Sequence, residues 1–439
     1  MRRGLFYTLL TQAPTLLLYF VASTLMTRML GEVGRGEYAL ITNFGALLAM
    51  VMGLNIGGGI TYFVARAADN VRETISAALA VLLINIVLAP LILGVISLNG
   101  TLTELFMPDT RQHWTYWAFV CLFVIQSLVN NTVSGVLLGL KKFAALNTMS
   151  VLNAGLSALG MLVLFMIPQV KEDAFLWILV ATTVTSTVVT LTWCAMYLFH
   201  VRMLPGPNWS WAVLKPILAF SMLGHLSNLI NLVNYRFDVW VVDQHHGVAQ
   251  LGLYAVAVGL GQLLFNVPDP FSRVVQPFLF GQRTDAMLAR FKAVARLNFT
   301  VLALLALGMA ATAPWIVPLL FGAEFAPSVA PLRLLLPGIV LSGAAKLLAQ
   351  LVIQGGLQHF NLMATAIAAV VTVVLDLVLI PSWGLHGAAV ASTVAYSVVL
   401  LIILSTIRSR MGIAIHDMFI LHRADIALLR QRLPGDGPK

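Results

Sequence analysis

Apolar runs of 20 or more residues recur from one end of this 439-residue chain to the other, continuous and without the alternation of a barrel strand. About twenty apolar residues cross a hydrocarbon core of roughly 30 Å as a helix. Inside lipid only a helix or a closed barrel satisfies every backbone N–H and C=O, so the runs predict an all-α integral membrane protein. Charge is scarce enough to agree, with 10% of residues charged against about 25% in a soluble domain. Spans are read at roughly 5–28, 38–65, 75–98, 114–139, 146–168 and 174–199, then 214–242, 250–279, 294–321, 331–355, 361–381 and 385–407. That makes about twelve transmembrane helices. The fourth, seventh and eighth carry enough Asn, Gly and Pro to be broken.

The two halves are copies of one unit. Residues 28–39 (RMLGEVGRGEYA) form a short polar loop between two apolar runs, and 244–255 (QHHGVAQLGLYA) repeat it 216 positions later. Gly31 matches Gly247, Gly36 matches Gly252, Tyr38 matches Tyr254 and Ala39 matches Ala255. Further along, 139–143 (GLKKF) matches 356–360 (GLQHF), Ile167 and Pro168 match Ile380 and Pro381, and 181–189 matches 391–399. Six spans is an even number, so both copies share one orientation. The expected architecture is two six-helix bundles related by a pseudo-two-fold axis along the membrane normal, with a cleft between them. The boundaries that follow are a bundle over 1–200, a cytoplasmic linker over 201–213, a second bundle over 214–407 and a cytoplasmic amphipathic tail over 408–439. In that tail Ile413 to Leu433 mixes apolar residues with Arg423, Arg430 and Arg432, as a helix on the membrane surface or a partly ordered tail would.

Placing the N-terminus inside puts 18 Lys and Arg in cytoplasmic loops and termini and five opposite, among them Arg28 and Arg35. The Lys and Arg excess stays cytoplasmic, so both termini are expected there. The net charge of +9 is spread over short loops, which argues against a nucleic-acid partner. Met1 and the run from Leu5 to Met26 read as the first span, because the run is long and lacks a small-residue cleavage site. Cys121 and Cys194 fall inside apolar runs, where a packed thiol is inert. No metal cluster, nucleotide fingerprint or catalytic triad is legible, which points away from an enzyme and from any cofactor. Asn55 with Gly57 to Gly59 lacks the Lys-Ser or Lys-Thr of a phosphate loop and reads as close packing or a flexible break.

An ionisable side chain inside a span costs about 2.5–3.5 kcal/mol on insertion scales and is a functional candidate by default. Arg236, Asp238, Asp269, Arg273, Lys346 and Asp376 qualify, with His225 as a titratable neutral. Asp269 and Arg273 are four apart with the acid first, the spacing of a local ion pair, as are Arg28 and Glu32. Arg236 and Lys346 have no acid at three or four residues. Either each meets an acid from another span, with Asp238 and Asp376 available, or it faces a hydrated cavity that takes an anion. None of the 17 acidic residues lies inside the first six spans. The unpaired charge therefore leans positive, and Arg in particular holds phosphate oxygens bidentately.

Residues 28–66, with Leu30-Gly31, Gly36 to Tyr38 and 57–62 (GGGITY), resemble the opening of bacterial polysaccharide flippases. In the second half 235–238 (YRFD), 251–256 (LGLYAV), 320–325 (LFGAEF), 334–338 (LLLPG) and 384–392 (GLHGAAVAS) resemble the same family. The resemblance implies the multidrug and oligosaccharidyl-lipid flippase fold, and a substrate of undecaprenyl pyrophosphate carrying an oligosaccharide. The movement it implies runs from the cytoplasmic to the periplasmic leaflet of the bacterial inner membrane, for surface or exopolysaccharide biosynthesis. It also implies a cationic cleft, to which Arg236, Lys346, Arg273, Arg66 and Arg28 would contribute by position. Asp376, Asp238, Asp269 and His225 are then counter-charges or coupling groups. Polysaccharide polymerases or glycosyltransferases are the implied partners, and a monomer contains a complete cleft. Two rivals remain: a cation-coupled multidrug exporter of the same fold, which would rely on a membrane-embedded acid in the N-terminal half, and a non-transporting scaffold of an assembly complex. A membrane-bound polymerase or ligase fits less well, because the loops are short.

Overall fold

The computed structural model describes residues 2–66, 71–107, 112–167, 174–200, 210–269, 271–272, 285–415 and 418–425. Among them every regular element is helical: α1 (Arg2–Gly53), α2 (Ile56–Arg66), α3 (Val71–Ser97), α4 (Gly100–Phe106), α5 (Trp114–Gly139), α6 (Phe143–Met166) and α7 (Ala174–His200). The series continues with α8 (Trp211–Phe265), α9 (Asp285–Phe321), α10 (Val329–Gln354), α11 (Gln358–Trp383) and α12 (Leu385–Met411), with a 3-10 turn over Ala323–Ser328 before α10. Among the described residues ten stretches are long and apolar enough to cross a membrane. Two of them, in α1 and α8, each contain two of the expected spans, which accounts for the expected twelve.

The membrane shows in which faces are exposed. On α3, Leu83, Ile84, Val87, Leu91 and Val95 are at least half exposed, at the three- and four-residue spacing that makes one helix face. An apolar stripe of that length is a liability in water and the natural contact for lipid. On α11, Val370, Val374, Leu377 and Val378 repeat the pattern.

The repeated stretch departs from its expected form. No loop separates the first two spans: helix runs through Glu32 to Tyr38, and Gly31 alone, at φ 64° and ψ −174°, turns the chain. Its counterpart Gly247, at φ 77° and ψ 171°, does the same in α8. These left-handed φ values cost a residue with a Cβ about 1–2 kcal/mol, which is why glycine stands at both kinks. The polar residues taken for a loop are the first turns of the next helix. Beyond the kinks the two arms touch backbone to backbone. A Cβ on Gly36 would overlap the Val248 carbonyl oxygen, and a Cβ on Gly252 would overlap that of Glu32. Glu32 and Val248 are themselves 216 apart, so the crossing is two-fold symmetric.

Of the three breaks expected, one is found. The fourth and seventh spans are continuous in α5 and α8, because Gly135 in α5 serves close approach, its Cα face lying against the Gly57 backbone. The second span does break, at Leu54 and Asn55, both at positive φ. The eighth breaks after Phe265, ahead of Pro268.

The chain divides into two compact units, Phe6–Ala255 with Leu320–Glu324, and Val256–Leu319 with Phe325–Lys439 and Met1–Leu5. In the first, Ile41, Phe44, Leu48, Val120, Val124, Leu128 and Leu179 form the largest core. In the second, Phe291, Leu347, Leu348, Ile403 and Ile407 pack together with Ile413 and Met418 from the segment after α12. That segment is pinned. Arg296 Nη1 donates to both oxygens of Asp425 at 3.0 and 2.9 Å, Asp425 Oδ2 accepts from the His422 N–H, and Phe419 meets Phe299 edge-on at 5.0 Å.

Candidate functional site

In the first unit the kink at Gly31 brings the start of the second helical arm against the first arm of α8. Arg35 is carried inward by this turn. Its guanidinium lies 5.7 Å from the centre of the Tyr38 ring, and its Nε is buried without a hydrogen-bond partner. Tyr38 in turn meets Phe175 of α7 edge-on at 6.4 Å. Arg236 of α8 is close enough to repel Arg35 electrostatically, while the Arg236 carbonyl accepts from Asn43 Nδ2 at 3.5 Å. Asp238 is the described acid that feels Arg236, and it is engaged by the Tyr254 hydroxyl. Arg236 therefore has a carboxylate within electrostatic reach, and that carboxylate is bound to a tyrosine. Among the described residues neither guanidinium forms an ion pair.

The other candidates are placed as follows. Lys346 forms an ion pair with Asp269 in the second unit, with side chains 44% and 31% exposed. Its partner is thus an acid from another span, though neither of the two considered above. Arg273, the sequence-local partner expected for Asp269, lies outside the described residues, and so does the Arg66 side chain at the end of α2. Arg28 is exposed, and its Nε donates to the Leu320 carbonyl at 2.6 Å. The kink at Gly31 falls between Arg28 and Glu32, so helical four-residue spacing does not carry across it. Asp376 on α11 is fully buried, and His225 on α8 is buried with Nδ1 unpartnered.

Sequence reasoning missed two groups here. Arg35 was counted with the outer loops. Glu37, read as a loop residue, is 1% exposed within α1, so the N-terminal half does contain a buried carboxylate. The signal was present in the repeat. At the 216-residue offset Arg35 and Glu37 align with Leu251 and Leu253, apolar residues that are buried in α8.

Two neighbouring guanidiniums, with Asp238 already engaged by Tyr254, are suited to an oxyanion. Comparison with known proteins gives the family. The model of the polysaccharide biosynthesis protein family matches residues 1–281. The chain belongs to that family. No curated protein matches it by sequence. Among solved structures, an inward-facing multidrug resistance MATE family transporter of the MOP superfamily superposes with a TM-score of 0.72 at 17% identity, over 90% of this chain and 94% of that one. The lipid II flippase MurJ, in an inward closed conformation, gives 0.70 at 12% identity, over 93% and 88%. A Vibrio cholerae MATE transporter variant gives 0.60 at 13% identity, over 93% and 97%. At these identities the likeness is one of fold, and it makes this family member a multi-pass membrane protein with the transporter fold of two six-helix bundles.

Proposed function

We propose that the protein is a flippase that moves undecaprenyl-pyrophosphate-linked oligosaccharide units from the cytoplasmic to the periplasmic leaflet of a bacterial inner membrane. It does so by alternating access, in surface or exopolysaccharide biosynthesis, with both termini cytoplasmic and one chain as the working unit. The observation that carries this reading is the Arg35–Arg236 pair. Like charges held near one another in an apolar bundle are destabilising until an anion bridges them. A diphosphate supplies that bridge, and each planar guanidinium can hold two of its oxygens. Arg28 and Arg66 in the first unit, and Lys346 and Arg273 in the second, are further candidates for holding the head, with Asp238, Asp269, Asp376 and His225 as counter-charges or coupling groups.

No bond is made or broken in this work. A diphosphate and several sugars cannot cross bare hydrocarbon, because each unsatisfied polar group there costs several kcal/mol. The protein replaces water around the head with guanidiniums, amides and backbone, while the polyprenyl tail stays in lipid. Partners follow from the chemistry: glycosyltransferases supply the lipid-linked unit and a polymerase consumes it.

The test is leaflet translocation of a fluorescent polyprenyl-pyrophosphate oligosaccharide in proteoliposomes. Charge-assisted hydrogen bonds of about 1.5–3 kcal/mol predict that Arg35→Gln and Arg236→Gln each slow flipping by about ten- to a hundredfold, with Arg35→Lys intermediate. Wild-type rates in both glutamine variants, at equal reconstituted protein, would remove the pair from the site.

Glu37 favours a second reading. A buried carboxylate in the N-terminal half is what a cation-coupled multidrug exporter of the same fold would need. In that case Glu37→Gln abolishes resistance to exported cationic drugs, whereas under the flippase reading a deletion strain shows no change in drug sensitivity and loses surface polysaccharide.

A further inference from the structure

Where α1 gives way to α2, the first unit holds a set of polar groups that the anion site does not use. Leu54 and Asn55 have φ of 45° and 53°, so the helical ladder is interrupted there. An interruption frees carbonyls on one side and N–H groups on the other. The Met52 carbonyl is taken by Asn85 Nδ2 of α3 at 3.1 Å, and the Gly58 N–H closes back on the Asn55 carbonyl at 3.1 Å.

Two amide side chains straddle the break. Asn131 of α5 sets its Oδ1 against the Cα of Gly57, so close that a Cβ there would overlap it, and its Nδ2 faces Gly53. Asn55 sets Nδ2 against Gly224 of α8 in the same way. Neither amide makes a side-chain hydrogen bond among the described residues, although both sit where helices cross the membrane. Asn131 and Gly58 are exposed, and Asn55 and Gly224 are half-buried, so the amides border open space and are not sealed in packing. On the α8 face that carries Gly224, Ser221 and His225 are buried, with Oγ and Nδ1 unpartnered. Asn228 follows one turn on.

Unspent polar groups in a membrane span mark a substrate path by default. Their type separates this place from the anion site. A phosphate accepts only, and is matched by donors such as guanidinium. Amide, hydroxyl and imidazole groups both donate and accept, and none here carries a fixed charge. Sugar hydroxyls have the same dual character. The glycines at 57 and 224 let the two amides lie directly on the backbone, and of the three glycines at 57–59 Gly58 is the exposed one.

We propose that the α1–α2 break, with Asn131 and Gly58 beside it and Asn55 set against Gly224 of α8, is a saccharide subsite that holds the hydroxyl-rich head of the substrate apart from its diphosphate. This rests on the flippase reading above and adds a second contact point to it.

The experiment uses the full chain in proteoliposomes and two substrates: lipid-linked oligosaccharide extracted from the cells that make the protein, and the same lipid stripped of its glycan. The quantity read is the ratio of their flipping rates. Asn131→Leu, and Asn55→Gly, which keeps the left-handed backbone, should each lower the ratio of glycan-bearing to stripped lipid by about tenfold, the value of one or two hydrogen bonds. Asn131→Ser, which keeps a small hydroxyl, should fall between and guards against a leucine variant that does not fold. Arg35→Gln, by contrast, should slow both lipids and leave the ratio alone. An unchanged ratio in all three asparagine variants would overturn the subsite while the flippase reading stands. A wild type that moves neither lipid would overturn both.

Discussion

At the residue scale, what a charge does here is decided by its surroundings more than by its spacing in the chain. Arg236 was legible because no acid stands three or four residues away, and among the described residues it forms no ion pair. Lys346 gave the same signal and is paired with Asp269, because helices distant in sequence supply partners that spacing cannot show. Two ion pairs described in the second unit make a clean comparison. The Lys346–Asp269 side chains are 44% and 31% exposed, so screening leaves their attraction worth about 1 kcal/mol or less. Those of Arg296 and Asp425 are 11% and 7% exposed, and removing one partner strands a buried charge at a cost of about 3 kcal/mol. Thermal unfolding in detergent should therefore show a drop of several degrees for Arg296→Met and almost none for Lys346→Met. The double variant Arg296→Met with Asp425→Leu should recover most of the loss, since no charge is then stranded. Equal losses for the two single variants would mean that burial is not what separates the pairs.

At the element scale, glycine does two different jobs, and the repeat disclosed the positions without the roles. Gly31 and Gly247 turn the chain through left-handed φ, while Gly36 and Gly252 let two helices meet backbone to backbone. Hydropathy could not tell a kinked helix from a loop, because a single residue makes the turn and the polar residues after it are helical. The break in the second span was half legible, since Asn55 and Gly57 to Gly59 permit either packing or interruption and the fold uses them for both. Adding one methyl at the crossing must push the arms apart. Overpacking of this kind costs about 1–3 kcal/mol, and both Gly36→Ala and Gly252→Ala should lower thermal stability accordingly. By symmetry the two losses should be similar. Gly155 in α6 is the control: nothing lies within 4 Å of an added Cβ, so Gly155→Ala should be neutral or stabilising by up to about 1 kcal/mol. If Gly36→Ala behaves like Gly155→Ala, the crossing is looser than the contact of Gly36 with the Val248 carbonyl implies.

At the scale of the whole molecule, fold class was the most legible property, because a continuous apolar run has one solution in lipid and the run count carries straight to helices. Driving force was the least legible, since it depends on whether a buried acid is present, and Glu37 was hidden in what read as a loop. The charge balance now makes the question quantitative. A carrier that takes an anionic head outward moves negative charge down an inside-negative potential, worth about 2.3 kcal/mol per elementary charge per 100 mV. If half of the field acts on the rate-limiting step, about 1.1 kcal/mol per charge comes off the barrier, a roughly sevenfold acceleration. A potassium diffusion potential of about 100 mV across proteoliposomes should therefore speed flipping several-fold in one polarity and slow it in the other, with Glu37→Gln keeping the same voltage response. A rate indifferent to polarity but dependent on a proton or sodium gradient, and lost in Glu37→Gln, would assign the drive to an ion partner and make the acid, not the substrate's own charge, the source of direction.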